Sequence, residues 1–210
     1  MKPERLQKIK DVVRRRQLDL TVVLENVRDP HNIGAVIRSC DSIGIREIFV
    51  LYTESALQSD YITIGKRTSA GSRRWVDVHY YIDAKTCFDH IKNRYKRVLS
   101  THLDETAASL YNLDLTQPTA FLFGNEHDGL SQEALTYSDG NFVIPQMGMA
   151  SSLNISVACA VTLYETFRQR QTKQFYDENN LTTALEQQAL LEDYLNRQEN
   201  KETQFMIKKT

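Results

Sequence analysis

No stretch of about eighteen apolar residues occurs in this sequence, so no membrane-spanning helix is expected. Cysteine is scarce: Cys40, Cys87 and Cys159 stand far apart and form no CxxC pair. That argues against a disulfide framework and a cysteine-based metal site, and reads as three small buried thiols in a reducing cytosol. The opening residues Met1-Lys2-Pro3-Glu4-Arg5-Leu6 lack the apolar core of a secretory signal. GxxxxGK followed by Ser or Thr is missing, which disfavours a phosphate-loop nucleotide hydrolase. GxGxxG, GxSxG and HExxH are missing too, and the five histidines (His31, His79, His90, His102, His127) are scattered, so no metal is expected. No internal repeat or low-complexity tract appears.

Net charge is nearly absent as well, at −1, but the balance conceals segregation. Residues 1–16 carry Lys2, Arg5, Lys8, Lys10, Arg14, Arg15 and Arg16 against Glu4 and Asp11. Residues 65–74 carry Lys66, Arg67, Arg73 and Arg74 with no acid, whereas residues 177–202 are mainly acidic. Clustered basic side chains can track phosphates on a chain that is neutral as a whole; the alternative is a solvated helix face.

What is present is an alternation of two periods. Residues 3–16 read as a basic amphipathic helix with Leu6, Ile9 and Val13 inward. Apolar, β-branched runs at 21–25, 46–51, 75–80, 97–101, 119–123 and 141–144 read as strands. Helical spacing follows at 33–43, 83–95, 155–167 and 180–198, with a short helix capped by Ser131. Asn32 or His31 is the expected cap of the 33–43 helix. Residues 68–74 read as an exposed basic loop, and the tail from Lys201 as frayed. Alternating strands and helices predict an α/β fold, a mainly parallel sheet covered on both faces.

Three polar loops each follow a strand: 30–32 leading to Arg38, 124–131, and 144–154. The last passes Pro145 and Gly148 and carries Ser151, Ser152 and Asn154 into an apolar helix. Ligands of open α/β sheets sit at the carboxyl ends of strands, so the three loops are placed to converge. A helix start also offers unpaired N–H groups and positive partial charge to a ligand.

The residues themselves carry a resemblance. Glu25-Asn26-Val27-Arg28-Asp29-Pro30-His31-Asn32 through Arg38-Ser39-Cys40-Asp41 is similar to the first motif of the SpoU/TrmH-type RNA ribose 2′-O-methyltransferases of the SPOUT superfamily. Leu122-Phe123-Gly124-Asn125-Glu126 with Gly129-Leu130-Ser131 resembles their second motif, and Ile144 to Met149 with Ser152 to Ala158 their third. Residues 15–21 and 70–76 resemble the branch that methylates guanosine 18 in the tRNA D-loop.

The resemblance implies a SPOUT-type sheet with a C-terminal trefoil knot, plus N- and C-terminal helical extensions. The implied units are 1–18, a basic helix; 19–171, the knotted methyltransferase domain; and 172–210, a helical extension. It further implies S-adenosyl-L-methionine as cofactor, tRNA as partner, and a homodimer in the cytoplasm with its site at the interface. Arg38, Asn32, Glu126, Ser152 and Asn154 would form the reaction centre. Thr101, Leu122, Gly124, Ile144, Met147, Gly148 and Leu153 would hold the cofactor, and Arg14, Arg15, Arg16, Lys66, Arg67, Arg73 and Arg74 the RNA. The same chemistry on ribosomal RNA, or a non-catalytic RNA-binding relative, are the competing readings.

Overall fold

The apolar runs become the strands of one parallel sheet. A computed structural model describes residues 1–125, 127–177, 180–200 and 205–210. In chain order the elements are α1 (Pro3–Arg14), β1 (Leu20–Glu25), α2 (Pro30–Ser42), β2 (Glu47–Leu51), β3 (Tyr61–Thr63), α3 (Lys66–Ser69), β4 (Asp77–Tyr81) and α4 (Ala84–Lys92). There follow β5 (Arg97–Thr101), β6 (Ala108–Ser109), β7 (Thr119–Phe123), α5 (Gln132–Leu135), β8 (Gly140–Val143), α6 (Ile155–Thr172), α7 (Ala184–Glu199) and β9 (Met206–Lys208).

The seven-stranded sheet has the order β4-β2-β1-β7-β5-β8-β6, and every pairing in it is parallel. Its central strands are buried on both faces, which is why they read as continuous apolar runs rather than as alternations. On one face Val22, Leu24, Ile48, Val50, Phe121 and Phe123 pack with Ile33, Ile37 and Cys40 of α2 and with Ile155, Cys159 and Leu163 of α6. On the other, Val23, Phe49, Ala120 and Leu122 pack with Cys87, Phe88 and Ile91 of α4 and Ala134 of α5. The one-residue alternation along each strand is the period-2 rule that sends successive side chains to opposite faces.

A third cluster joins the chain's two ends. Ile9 and Val13 of α1 meet Leu190 and Tyr194 of α7, with Trp75 beside them. Arg16, expected as a phosphate contact, is fully buried there. Its guanidinium donates to Asp41 Oδ1 at 2.6 Å and to the Ile45 carbonyl at 2.9 Å, and lies 5.5 Å from the Tyr194 ring. Arg16 is therefore a structural ion-pair residue and not an RNA contact. A charge so deeply buried is tolerated only when paired.

Three further expectations change. Asp29, rather than Asn32 or His31, caps α2, accepting from His31 N at 2.8 Å, with Pro30 in the first turn. The 68–74 stretch is not an open loop: it holds the end of α3 and a 3-10 turn at Ser72–Arg74, and buries Ser69 and Ser72. The tail expected to fray returns at 205–210, where β9 pairs antiparallel with β3; residues 201–204 lie outside the described residues.

Arg170, fully buried near the end of α6, forks onto Asp19 at 2.7 and 2.8 Å and donates to the carbonyls of Leu115, Thr116 and Gln117. The bidentate pair ties the residue before β1 to α6, and the carbonyl contacts pin the segment between β6 and β7 against it.

Candidate active site

The strands β1, β7, β5 and β8 are neighbours, so the segments leaving their carboxyl ends are neighbours too. Those leaving β7, β5 and β8 surround a cavity of about 800 Å³. Thr101, His102 and Leu103 line it from the end of β5, and Gly124, Asn125 and His127 from the segment after β7. Residues 144–146 and 148–153 form a further wall, together with the apolar side chains of Phe142, Ile155 and Ala158.

Each wall is fixed by local chemistry. After β7 the chain doubles back at once: Asn125 and Gly129 exchange N–H···O bonds of 3.1 and 3.2 Å, and Asn125 Oδ1 accepts from His127 N and Asp128 N. A Cβ on Gly124 would lie 2.2 Å from the Gly129 carbonyl, so this approach admits glycine alone. Glu25, fully buried at the end of β1, anchors the far side of the turn. It accepts from Ser131 N at 2.9 Å, from the Ser131 hydroxyl and from Thr53 Oγ1 at 3.1 Å. Ser131 in turn caps α5 through Ala134 N.

After β5, Asp104 accepts from the hydroxyl and the N–H of Thr106, which hold its carboxyl below the usual range. After β8, Asn154 caps α6 by accepting from Ser156 N at 2.9 Å, while its Nδ2 donates to Asn32 Oδ1 at 3.3 Å. That bond joins the first and third polar loops, 122 positions apart in sequence.

Of the residues expected to hold a cofactor, Thr101, Gly124, Ile144, Gly148 and Leu153 line the cavity. Leu122 does not: strand alternation turns its side chain into the core on the α4 face. Met147 does not either, and points to solvent at 93% exposure. Of the expected reaction centre, Ser152 lines the cavity, and Asn32 and Asn154 touch each other. Arg38 lies exposed on α2, six residues or about 9 Å along the helix from Asn32. Glu126 lies outside the described residues. Asn125, His102, Leu103 and Ser151 join the lining without having been expected there. Their one sequence signal is position, immediately after a strand or within a polar loop.

The basic residues divide by exposure. Arg14, Arg15, Lys66 and Arg67 are exposed. Arg73 is half-buried and donates to the Val76 carbonyl at 2.9 Å, and burial lowers its pKa. The half-buried Arg74 offers its carbonyl to Arg197 of α7 at 3.0 Å. Among the described residues no helix is long and apolar enough to cross a membrane, and no cluster of His, Cys, Asp and Glu has the makings of a metal site.

Residues 19–164 match the SpoU rRNA Methylase family. The chain is 42% identical over 186 residues to the tRNA (guanosine(18)-2′-O)-methyltransferase of Thermus thermophilus, an alignment spanning 89% of this chain and 93% of that protein. The crystal structure of the A. aeolicus TrmH/SpoU tRNA modifying enzyme is similar with a TM-score of 0.80 at 32% identity, covering 94% of this chain and 96% of that one. The SpoU methyltransferase AviRb from Streptomyces viridochromogenes, solved in complex with the cofactor AdoMet, is similar with a TM-score of 0.65 at 30% identity. That match covers 74% of this chain and 62% of that one.

Proposed function

This chain belongs to the SpoU methylase family, and from that premise we propose that it methylates the ribose 2′-oxygen of guanosine 18 in the tRNA D-loop, using S-adenosyl-L-methionine. It is an RNA 2′-O-methyltransferase. The observation that carries the reading is the cavity at the carboxyl ends of three adjacent strands, β7, β5 and β8, with the Asn32–Asn154 contact joining the loops beside it.

The cavity suits the cofactor. Its volume lies in the range of small-molecule sites. Its described lining mixes apolar side chains with hydroxyls and amides and includes no lysine or arginine to oppose a sulfonium. When bound, S-adenosyl-L-methionine supplies an electrophilic methyl group. Thr101, Gly124, Ile144, Gly148 and Leu153 would hold it, and the apolar wall of Phe142, Ile155 and Ala158 keeps water out.

The sugar hydroxyl is a poor nucleophile and must shed its proton as it attacks. Arg38 is assigned to an RNA phosphate and to the negative charge that develops on the 2′-oxygen. A guanidinium keeps its proton in proteins, so it serves as a clamp and not as the base. Asn32, Ser152 and Asn154 orient the ribose, and Glu126 supports that network. Alignment of the two reacting atoms supplies much of the acceleration.

The finer architecture follows from the same reading. β8 has β5 on one side and β6 on the other, so residues 102–107 pass around it. The chain beyond β8 then continues to α6, which Arg170 ties to residues 115–117. This arrangement supports a trefoil knot in the domain 19–171, flanked by the helical extensions 1–18 and 172–210. The outward side of α6 leaves Val157 and Tyr164 exposed at 47% and 53%, and Met147 and Met149 project from the cavity rim. Such a surface supports a homodimer that covers it. Three buried free thiols accord with the cytoplasm.

Labelled cofactor supplied with tRNA and, separately, with ribosomal RNA tests the substrate. Label should enter tRNA at guanosine 18, and label in ribosomal RNA alone reverses the assignment. Arg38→Ala should bind cofactor as the parent does in calorimetry yet transfer no methyl group. Unchanged turnover removes Arg38 from the mechanism.

A further inference from the structure

We propose that residues 205–210 are a strap that positions the first active-site loop and the basic segment 66–74 for RNA; for the reaction it aids, this rests on the methyl-transfer reading above. The tail is built into the fold along its whole length. Met206, Ile207 and Lys208 pair with Thr63, Ile62 and Tyr61. Phe205 O accepts from Ile64 N at 2.9 Å, Lys209 N donates to Asp60 O at 3.0 Å, and Thr210 N donates to Tyr80 O at 2.8 Å on the edge strand β4. Ile207 and Ile62 are buried in the main core, and the Lys66 ammonium lies 5.8 Å from the Phe205 ring.

β3 has the tail as its strand partner, and β3 leads within two residues into the segment that grips α2. Gly65 N donates to the Pro30 carbonyl at 2.9 Å. The packing leaves no slack: a Cβ on Gly34 would lie 2.2 Å from Thr68 Oγ1 and 2.7 Å from Gly65 O. Gly34 is two residues from Asn32, which meets Asn154. Further along the same segment, Ser72 Oγ donates to Asp41 Oδ2 at 2.9 Å near the other end of α2. The strap thus bears on both ends of the helix that carries Asn32 and Arg38. β3 and β9 form a two-stranded ribbon, which has little stability alone. The cofactor cavity is walled by other elements.

Two variants test this: deletion of 205–210, and Ile207→Ala, which trims the buried side chain alone. Each is compared with the parent by cofactor calorimetry, by kcat and KM for tRNA, and by amide hydrogen exchange. In the deletion, kcat/KM for tRNA should fall by roughly tenfold or more, as misplaced reacting groups do, with cofactor affinity unchanged. Exchange should quicken at 61–69 and 30–34 but not at 119–123. Ile207→Ala should show the same pattern to a smaller degree. The peptide Phe-Met-Ile-Lys-Lys-Thr added in trans should recover part of the lost activity by strand addition. Unchanged exchange at 30–34, or a parallel loss of cofactor binding and of protection at 119–123, overturns the proposal. Exchange reads the coupling independently of activity. A parent that methylates no tRNA therefore defeats the functional reading, and the strap stands or falls on exchange.

Discussion

Glu25 and Glu47 are buried carboxylates on adjacent strands at opposite ends of the sheet. Glu25 closes the carboxyl end of β1 and holds the turn after β7 through Ser131 and Thr53. Glu25→Gln keeps the size but turns an NH₂ toward donors, so it should lower stability by about 1–3 kcal/mol and weaken cofactor binding, read by thermal denaturation and calorimetry. Glu47 opens β2. Burial opposes its ionisation, but His79 at 2.9 Å, the Arg94 guanidinium at 3.2 Å and the Tyr95 hydroxyl at 2.7 Å outweigh that and lower its pKa to about 2. A carboxylate with a depressed folded pKa stabilises the fold fully above its unfolded value, and that contribution drains away as pH falls toward the folded one. From about pH 4.5 down to about 2, the parent should lose on the order of 3 kcal/mol more stability than Glu47→Gln, measured by denaturant unfolding at each pH.

Helix α1 shows how neighbouring arginines part company. Arg14 and Arg15 face solvent, and Arg16 turns into the junction of α1, α2 and α7. Arg5 is engaged too, donating to Gln198 Oε1 at 2.8 and 2.9 Å and lying 5.4 Å from the Trp75 ring. Charge reversal of Arg14 and Arg15 should weaken tRNA binding and flatten its salt slope by about one for each phosphate no longer neutralised, with thermal stability intact. Arg16→Glu should instead cost roughly 3–5 kcal/mol of folding stability, because Asp41 would lose its cation and face a second carboxylate. Filter binding across a salt series and thermal denaturation separate the two outcomes.

The molecule as a unit leaves one side of α6 without cover in a single chain. Its apolar residues run around the helix instead of forming one stripe: Ile155, Cys159 and Leu163 face the sheet, and Val157 and Tyr164 face outward. A helix apolar on both sides is ordinarily enclosed. If this side is covered as in the proposed homodimer, Tyr164→Glu should shift the protein from dimer to monomer in analytical ultracentrifugation, and reduce methyl transfer as it does so. A monomeric parent would withdraw the dimer.

Local pattern was enough for six strands of the seven-stranded sheet, most helices and the identity of the three loops. Hydrophobic period and turn chemistry are written in neighbouring residues, and buried parallel strands are strongly apolar. Distance in sequence hid the rest. β3 and β9 are three residues each, lie more than 140 positions apart and pair with one another. Arg16 and Arg15 are indistinguishable until α7 and Asp41 arrive to bury one of them. Leu122 belongs to a recognised motif, but which strand face meets the cavity depends on the packing of α4 and α5. Hydrophobic period thus specified an α/β fold, and the resemblance of three motifs identified the methyltransferase family. Folding chose which of its polar residues meet and which of its cations reach solvent, because both depend on contacts between segments that carry no local trace of one another.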